Sequence, residues 1–225
     1  MPRVCVFDVN ETLLDLQALD PHFERVFGDA SVRQEWFGQM IQSALVSIVT
    51  DAYSDFGSIG GAALQMTAER HEVELSEEDQ NSILTTVPQL PPHPEVREAL
   101  DRLRDAGFRL ATLTNSTQQV ADQQMENSGL GEYFEQMLSA DEVQHLKPAP
   151  EPYHLAAEKL DVEIGEIRLI AAHAWDVAGA LRTGCAAAFV GRPGKAPDPL
   201  VETPDVMGDD LLEVAEGIIA AEGRS

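Results

Sequence analysis

The apolar run Arg3-Val-Cys-Val-Phe-Asp8 ends in an aspartate, and a hydroxyl residue, Thr12, follows four positions later. A carboxylate so placed can attack an electrophilic centre if a cation keeps it ionised and a hydroxyl holds its orientation. Lys147, in His-Leu-Lys-Pro-Ala-Pro, is the candidate cation. Two further segments bring polar groups after apolar runs: Thr114-Asn115-Ser116, and Ala171-Ala172-His173-Ala174-Trp175-Asp176. The first offers hydroxyl, amide and free N–H donors for an anion where a strand leads into a helix. In the second, His173 and Asp176 are groups that could activate water. Asp176 fits an N-terminal helix cap equally well.

Chemistry of this kind requires the segments to meet, and the elements around them say how. Residues 3–8, 108–114, 167–172 and 186–190 are short, apolar and rich in branched or small residues, as buried strands are. Helical periodicity lies between them at about 94–106, 117–128, 150–160 and 175–183. Strands alternating with helices predict an α/β fold, a Rossmann-like parallel sheet with right-handed crossovers. Ligands of such sheets bind beyond the carboxyl ends of the strands, which brings Asp8, Thr114, Lys147 and the 171–176 segment to one edge. Residues 16–90 break the alternation, with helical patterns at 19–28, 32–50, 58–71 and 76–86 and no convincing strand, and Gln89-Leu-Pro-Pro-His-Pro94 closes them. The expected organisation is a core of 1–15 and 91–225 with a helical cap, 16–90, inserted after the first strand.

The motifs resemble those of the haloacid dehalogenase superfamily. Phe7-Asp8-Val9-Asn10-Glu11-Thr12-Leu13-Leu14 is similar to its first motif, Leu113-Thr114-Asn115-Ser116 to its second and Lys147-Pro148 to its third, in the family's order over nearly the whole chain. Most members are magnesium-dependent phosphatases with a second acid two residues after the nucleophile. Here that position is Asn10, and the fourth motif carries the single acid Asp176. A hard cation wants several oxygen ligands, usually carboxylates, so the expectation is no metal and no cofactor. The nearer resemblance is to the L-2-haloacid dehalogenase branch. It implies that Asp8 displaces halide from C2 of an (S)-2-haloacid with inversion, and that water then opens the aspartyl ester to release the (R)-2-hydroxyacid. Thr12 and Lys147 would hold the Asp8 carboxylate. Thr114 and Tyr153 would meet the substrate carboxylate, with helix-face packing the other reading of Tyr153. Arg33 would receive the halide with help from Asn115, Arg25 being the rival arginine. Trp175 would wall an apolar slot, whereas Trp36, Phe37 and Phe56 read as core packing. The resemblance also implies a homodimer.

The chain departs from that branch at Ala171 and His173, where serine and asparagine are usual, at Asn10, which replaces an aromatic hydroxyl among the substrate-contacting groups, and at Glu11. Glu11 lies in the turn leaving the first strand and His173 ends the strand of the fourth motif, so a His173 base oriented by Glu11 is one expectation for water activation, and Asp176 with Lys147 is the other. A phosphatase and a non-catalytic binding protein remain the alternatives for the whole molecule. Ser-His-Asp hydrolysis is disfavoured because no Gly-x-Ser-x-Gly elbow occurs. With 39 acidic and 15 basic residues the net charge is −24, a surface that repels nucleic acid and anionic membranes. A small anionic substrate is repelled too, so its site needs local positive charge. Cys5 and Cys185 read as reduced packing residues. With no apolar run long enough for a membrane helix and no leader pattern, the expected location is the cytoplasm.

Overall fold

The computed structural model describes residues 3–222. Six parallel strands form one sheet in the order β3-β2-β1-β4-β5-β6: β1 is Val4–Phe7, β2 Leu110–Thr114, β3 Gln136–Ser139, β4 Ile167–Ala171, β5 Ala186–Val190 and β6 Val206–Gly208. β1 is central, with Phe7 in register with Thr112 on one side and Ile170 on the other. The chain runs outward from β1 to β3 and returns to β4 on the opposite side of β1, so the carboxyl end of β1 is the switch point at which open α/β sheets hold their ligands. Every residue of β1, β2 and β4 is buried, which explains their unbroken apolar character: a strand covered on both faces cannot alternate.

Helices cover both faces. α5 (Val96–Asp105) and α9 (Leu211–Glu222) pack on one, α7 (Pro150–Leu160) and α8 (Ala174–Thr183) on the other, and α6 (Gln118–Ser128) follows β2. Between β1 and β2 stand α1 (Asp20–Phe27), α2 (Val32–Val49), α3 (Phe56–Arg70) and α4 (Glu77–Leu84). Their apolar faces share one buried cluster with the sheet, from Cys5 and Phe7 through Val9, Leu13, Leu14 and Leu16 to Phe23, Trp36 and Leu64.

Helix and strand positions follow the sequence reading within a few residues. β3, β6 and α9 are additions to it. β3 is an edge strand with Gln136 exposed, and β6 has only three residues, so neither carries a strong period. α9 did carry a signal: Leu211, Val214, Ala215 and Ile218 are buried at helical spacing. Cys5 and Cys185 are free and buried.

Candidate active site

Asp8 leaves the end of β1 with its backbone N–H donated to Ile170 O at 3.0 Å. Its side chain is buried and fully engaged: Lys147 Nζ donates to Oδ1 at 2.9 Å, the Thr12 hydroxyl donates to Oδ2 at 2.7 Å, and His173 Nδ1 is 3.1 Å from the same Oδ2. Burial acts to raise the carboxyl's pKa, but the charges and hydrogen bonds of Lys147 and His173 outweigh it and hold Asp8 well below the usual carboxylate range. Thr12 is fixed in turn by the Ala172 N–H, at 3.0 Å from its Oγ1.

Lys147 spends all three of its ammonium hydrogens: on Asp8, on Asp176 Oδ2 at 2.6 Å and on the Leu113 carbonyl at 2.7 Å. Burial would lower its pKa, yet the two carboxylates raise it, so it stays charged. Asp176 is pushed upward, first by burial and then by Asp8, against the opposing effect of Lys147. Its other oxygen accepts the Tyr153 hydroxyl at 2.6 Å. The Tyr153 hydroxyl is thus directed at Asp176. The loop carrying Lys147 is clamped by Asn115, which accepts the Lys147 N–H at 2.7 Å and donates to the Lys147 carbonyl at 3.1 Å. Thr114 Oγ1 accepts the Ser116 N–H at 3.1 Å, a turn contact that leaves its hydroxyl hydrogen uncommitted to that bond.

Glu11 sits at φ 62°, in the left-handed region that non-glycine residues seldom adopt. Its Oε2 lies 2.9 Å from His173 Nε2 and 2.5 Å from Lys195 Nζ, and its Oε1 is 3.7 Å from Arg33 Nη1. The ring of His173 is stacked between Phe37 and Trp175, with centroids 5.6 and 5.1 Å away. His173 and Glu11 thus meet as the strand-end argument required. Burial would lower the His173 pKa, but the hydrogen bonds to Asp8 and Glu11 prevail and raise it. Asn10 donates to Ser116 Oγ at 3.3 Å and accepts from Gln124 at 2.9 Å.

Two cavities flank this cluster. One, of about 460 Å³, is bordered by Glu11, Arg33, Phe37, His173, Trp175 and Lys195, with Arg192 at its edge. Arg33, Arg192, Lys195 and His173 bring cationic groups to this cavity, each paired with a carboxylate: Arg33 with Asp20, Arg192 with Glu95, Lys195 with Glu11, and His173 with Asp8 and Glu11. The other, of about 260 Å³, is mostly apolar, with Trp36, Phe37, Met40 and Phe56 facing Asn10 and Ser116. Trp36, Phe37 and Phe56 are thus cavity walls as well as core. Asp8 borders neither cavity, being screened by Glu11 and His173 on one side and Asn10 and Ser116 on the other. Arg25 stands outside the cluster, exposed and paired with Asp79, whereas Arg33 is buried and held by Asp20 at 2.5 Å.

Lys195 and Arg192 were missed by the sequence reading, although a signal existed. Gly191-Arg-Pro-Gly-Lys195 directly follows β5 and so lies at the same carboxyl edge as the recognised motifs. Gly179 was missed as well. A Cβ there would lie 2.5 Å from the Tyr153 hydroxyl and 2.6 Å from Pro148 Cβ, so glycine is what allows α8 to approach the Lys147-Pro148 turn.

Comparison with known proteins places this geometry in context. Residues 2–184 match the family described as haloacid dehalogenase-like hydrolase. The (S)-2-haloacid dehalogenase 4A of Burkholderia cepacia is 26% identical over 198 residues, 87% of this chain and 86% of that one. The haloacetate dehalogenase H-2 of Moraxella sp. (strain B) is 30% identical over 203 residues, 88% of this chain and 90% of that one. The fold matches the L-2-haloacid dehalogenase structure from Xanthobacter autotrophicus with a TM-score of 0.90 at 24% identity, over 98% of this chain and 99% of that chain.

Proposed function

The chain belongs to the haloacid dehalogenase-like hydrolases, and from that premise we propose that it hydrolyses a short-chain (S)-2-haloacid to the (R)-2-hydroxyacid and halide through an ester on Asp8, without metal. The observation that carries this reading is the buried, ionised Asp8 with its two oxygens held by Lys147 and Thr12. An oriented, low-pKa carboxylate shielded from water can displace halide from carbon, the C–X electron pair leaving with the halide as the Asp8 Oδ–C2 bond forms. Arg33 is the arginine proposed to take the departing halide, since it is buried at the cavity while Arg25 is not. Trp175 and Phe37 form the apolar wall that excludes water from the displacement step. His173, with Glu11 on its far nitrogen, is the base for the second step.

The reading places α1 to α4 as a cap over the strand ends, and it includes action in the cytoplasm and a homodimer, for which exposed Val46 and Val49 on α2 offer apolar surface. No helix among the described residues is long and apolar enough to cross a membrane.

Halide release from separated enantiomers of 2-chloropropionate in the presence of excess chelator is the test. Release from the (S) enantiomer, lost in Asp8→Asn and indifferent to chelation, is expected. A chelator-sensitive enzyme that hydrolyses simple phosphate esters once magnesium is restored would replace the reading by a phosphatase.

A further inference from the structure

His173 is the one group in the cluster whose two ring nitrogens face two different carboxylates, Asp8 at 3.1 Å and Glu11 at 2.9 Å. A neutral imidazole has a single N–H and can satisfy only one of them, while an imidazolium donates to both. Between two buried carboxylates the ring therefore rests protonated. A protonated ring cannot accept a proton from water, so as it stands His173 is no base. What changes is Asp8. Once its oxygen is bonded to carbon it carries no charge, and the ring is left facing an uncharged ester on one side.

We propose that His173 is a charge-coupled base: it rests as an imidazolium between Asp8 and Glu11, gives up its Nδ1 proton to solvent when Asp8 becomes a neutral ester, and as the neutral ring takes a proton from the water that opens that ester. The inference rests on the dehalogenase reading only for the electrophile, since anything that alkylates Asp8 removes the same charge.

The groups around the ring support the sequence of events. Glu11 is the near carboxylate, but Lys195 donates to it and Arg33 stands 3.7 Å away. Burial favours its protonated form, yet His173 and Lys195 hold its pKa below the ordinary range, so it keeps the Nε2 proton in place without removing it. The Glu11 carbonyl faces His93 Nε2 at 3.3 Å, and Arg192 is committed to Glu95 and to the Thr12 carbonyl. Phe37 and Trp175 cover the two ring faces without titrating. The proton that leaves is then the one on Nδ1, and the lone pair it exposes points at the former carboxylate, where water must approach Cγ. The rivals are poorly placed for the task. Lys147 has no free hydrogen and stays charged, and Asp176 is wholly buried with one oxygen on Lys147 and the other on Tyr153.

The balance closes over both half-reactions. In the first, the Asp8 Oδ–C2 bond forms, the C–X bond breaks, and one halide and one proton leave. In the second, water bonds to Cγ and gives one proton to His173 Nδ1. The Cγ–O bond to the substrate then breaks, and the remaining proton of that water goes to the released alkoxide. Asp8 is again a carboxylate and His173 again an imidazolium. One acid equivalent is therefore released per turnover, and it appears with the halide.

Two measurements test this. In ring-labelled histidine NMR of the whole protein, with His173→Gln identifying the signal, His173 should bind its proton at least about tenfold more tightly in the wild type than in Asp8→Asn, whose neutral amide imitates the ester. Equal titration in the two proteins would overturn the proposal. In a single turnover with (S)-2-chloropropionate and an indicator dye, one proton per site should appear in step with chloride and ahead of 2-hydroxypropionate. A proton that appears only with the hydroxyacid overturns the proposal while leaving the dehalogenase reading intact. If no chloride is released the dehalogenase reading fails, and the NMR comparison still decides the role of His173.

Discussion

At the scale of single residues, the site is a compact set of opposed buried charges, and the consequences of breaking it depend on which charge is removed. Lys147→Met would leave Asp8 and Asp176 buried without their cation. Loss of one partner of a buried ion pair costs about 3–5 kcal/mol, so a large fall in the denaturation midpoint and loss of turnover are expected. Asp176→Asn in the same chain should recover part of the stability and none of the turnover, as read by urea titration beside halide release. Tyr153→Phe is a milder case. It strips Asp176 of a donated hydrogen bond in a fully buried place, for which about 1–3 kcal/mol of stability should be lost. Turnover should fall only modestly, because Tyr153 reaches the chemistry through Asp176 alone. A loss of turnover as complete as that of Asp8→Asn would show that its hydroxyl meets the substrate after all.

The elements matter because each presents its residue at the end of a strand and fixes how far the next helix stands from it. α8 is the clearest instance. It begins directly after His173, carries Asp176 in its first turn and lies against the Lys147-Pro148 turn at Gly179. Overpacking such a contact costs about 1–3 kcal/mol. Gly179→Ala should therefore lose stability of that order, and it should lower kcat more than it raises KM, since the displaced groups are Lys147 and Asp176 rather than the cavity wall. An unchanged kcat with an intact melting temperature would show that α8 can shift without disturbing the charged cluster. Glu11 illustrates the same dependence in a loop: the left-handed turn at φ 62° brings its carboxylate back toward His173, and its own N–H is tied to the Leu14 carbonyl at 2.9 Å.

For the molecule as a whole, a net charge of −24 surrounds a site read as taking an anion. Repulsion from distant carboxylates is long-ranged and is screened beyond about 10 Å at 0.1 M ionic strength, while contacts to Arg33, Lys195 and His173 act within the cavity. Raising ionic strength from about 0.02 to about 0.3 M with a non-halide salt should thus raise kcat/KM for a haloacid a few-fold and leave kcat nearly constant. A fall in kcat/KM over that range would mean that the local cations, not the global charge, dominate approach of the substrate.

Much of this could be read from the chain before any fold was known. The strands that carry Asp8, Thr114 and the 171–176 segment are buried on both faces, and burial imposes a continuous apolar run that survives in one dimension. The polar residue that ends such a run is visible for the same reason, so the edge at which these residues gather and the meeting of His173 with Glu11 were legible. What could not be read is where a side chain spends its hydrogen bonds. Asn115 and Tyr153 have the right chemistry to meet a substrate, but their contacts with the Lys147 backbone and with Asp176 are set by the tertiary structure and leave no trace in the order of residues. Lys195, Arg192 and Gly179 contribute through contacts across 184, 180 and 31 residues of chain, to Glu11, Thr12 and Pro148. Distances of that kind leave no periodicity behind, because they are set by how closed surfaces come together and not by the order of residues along a strand or helix.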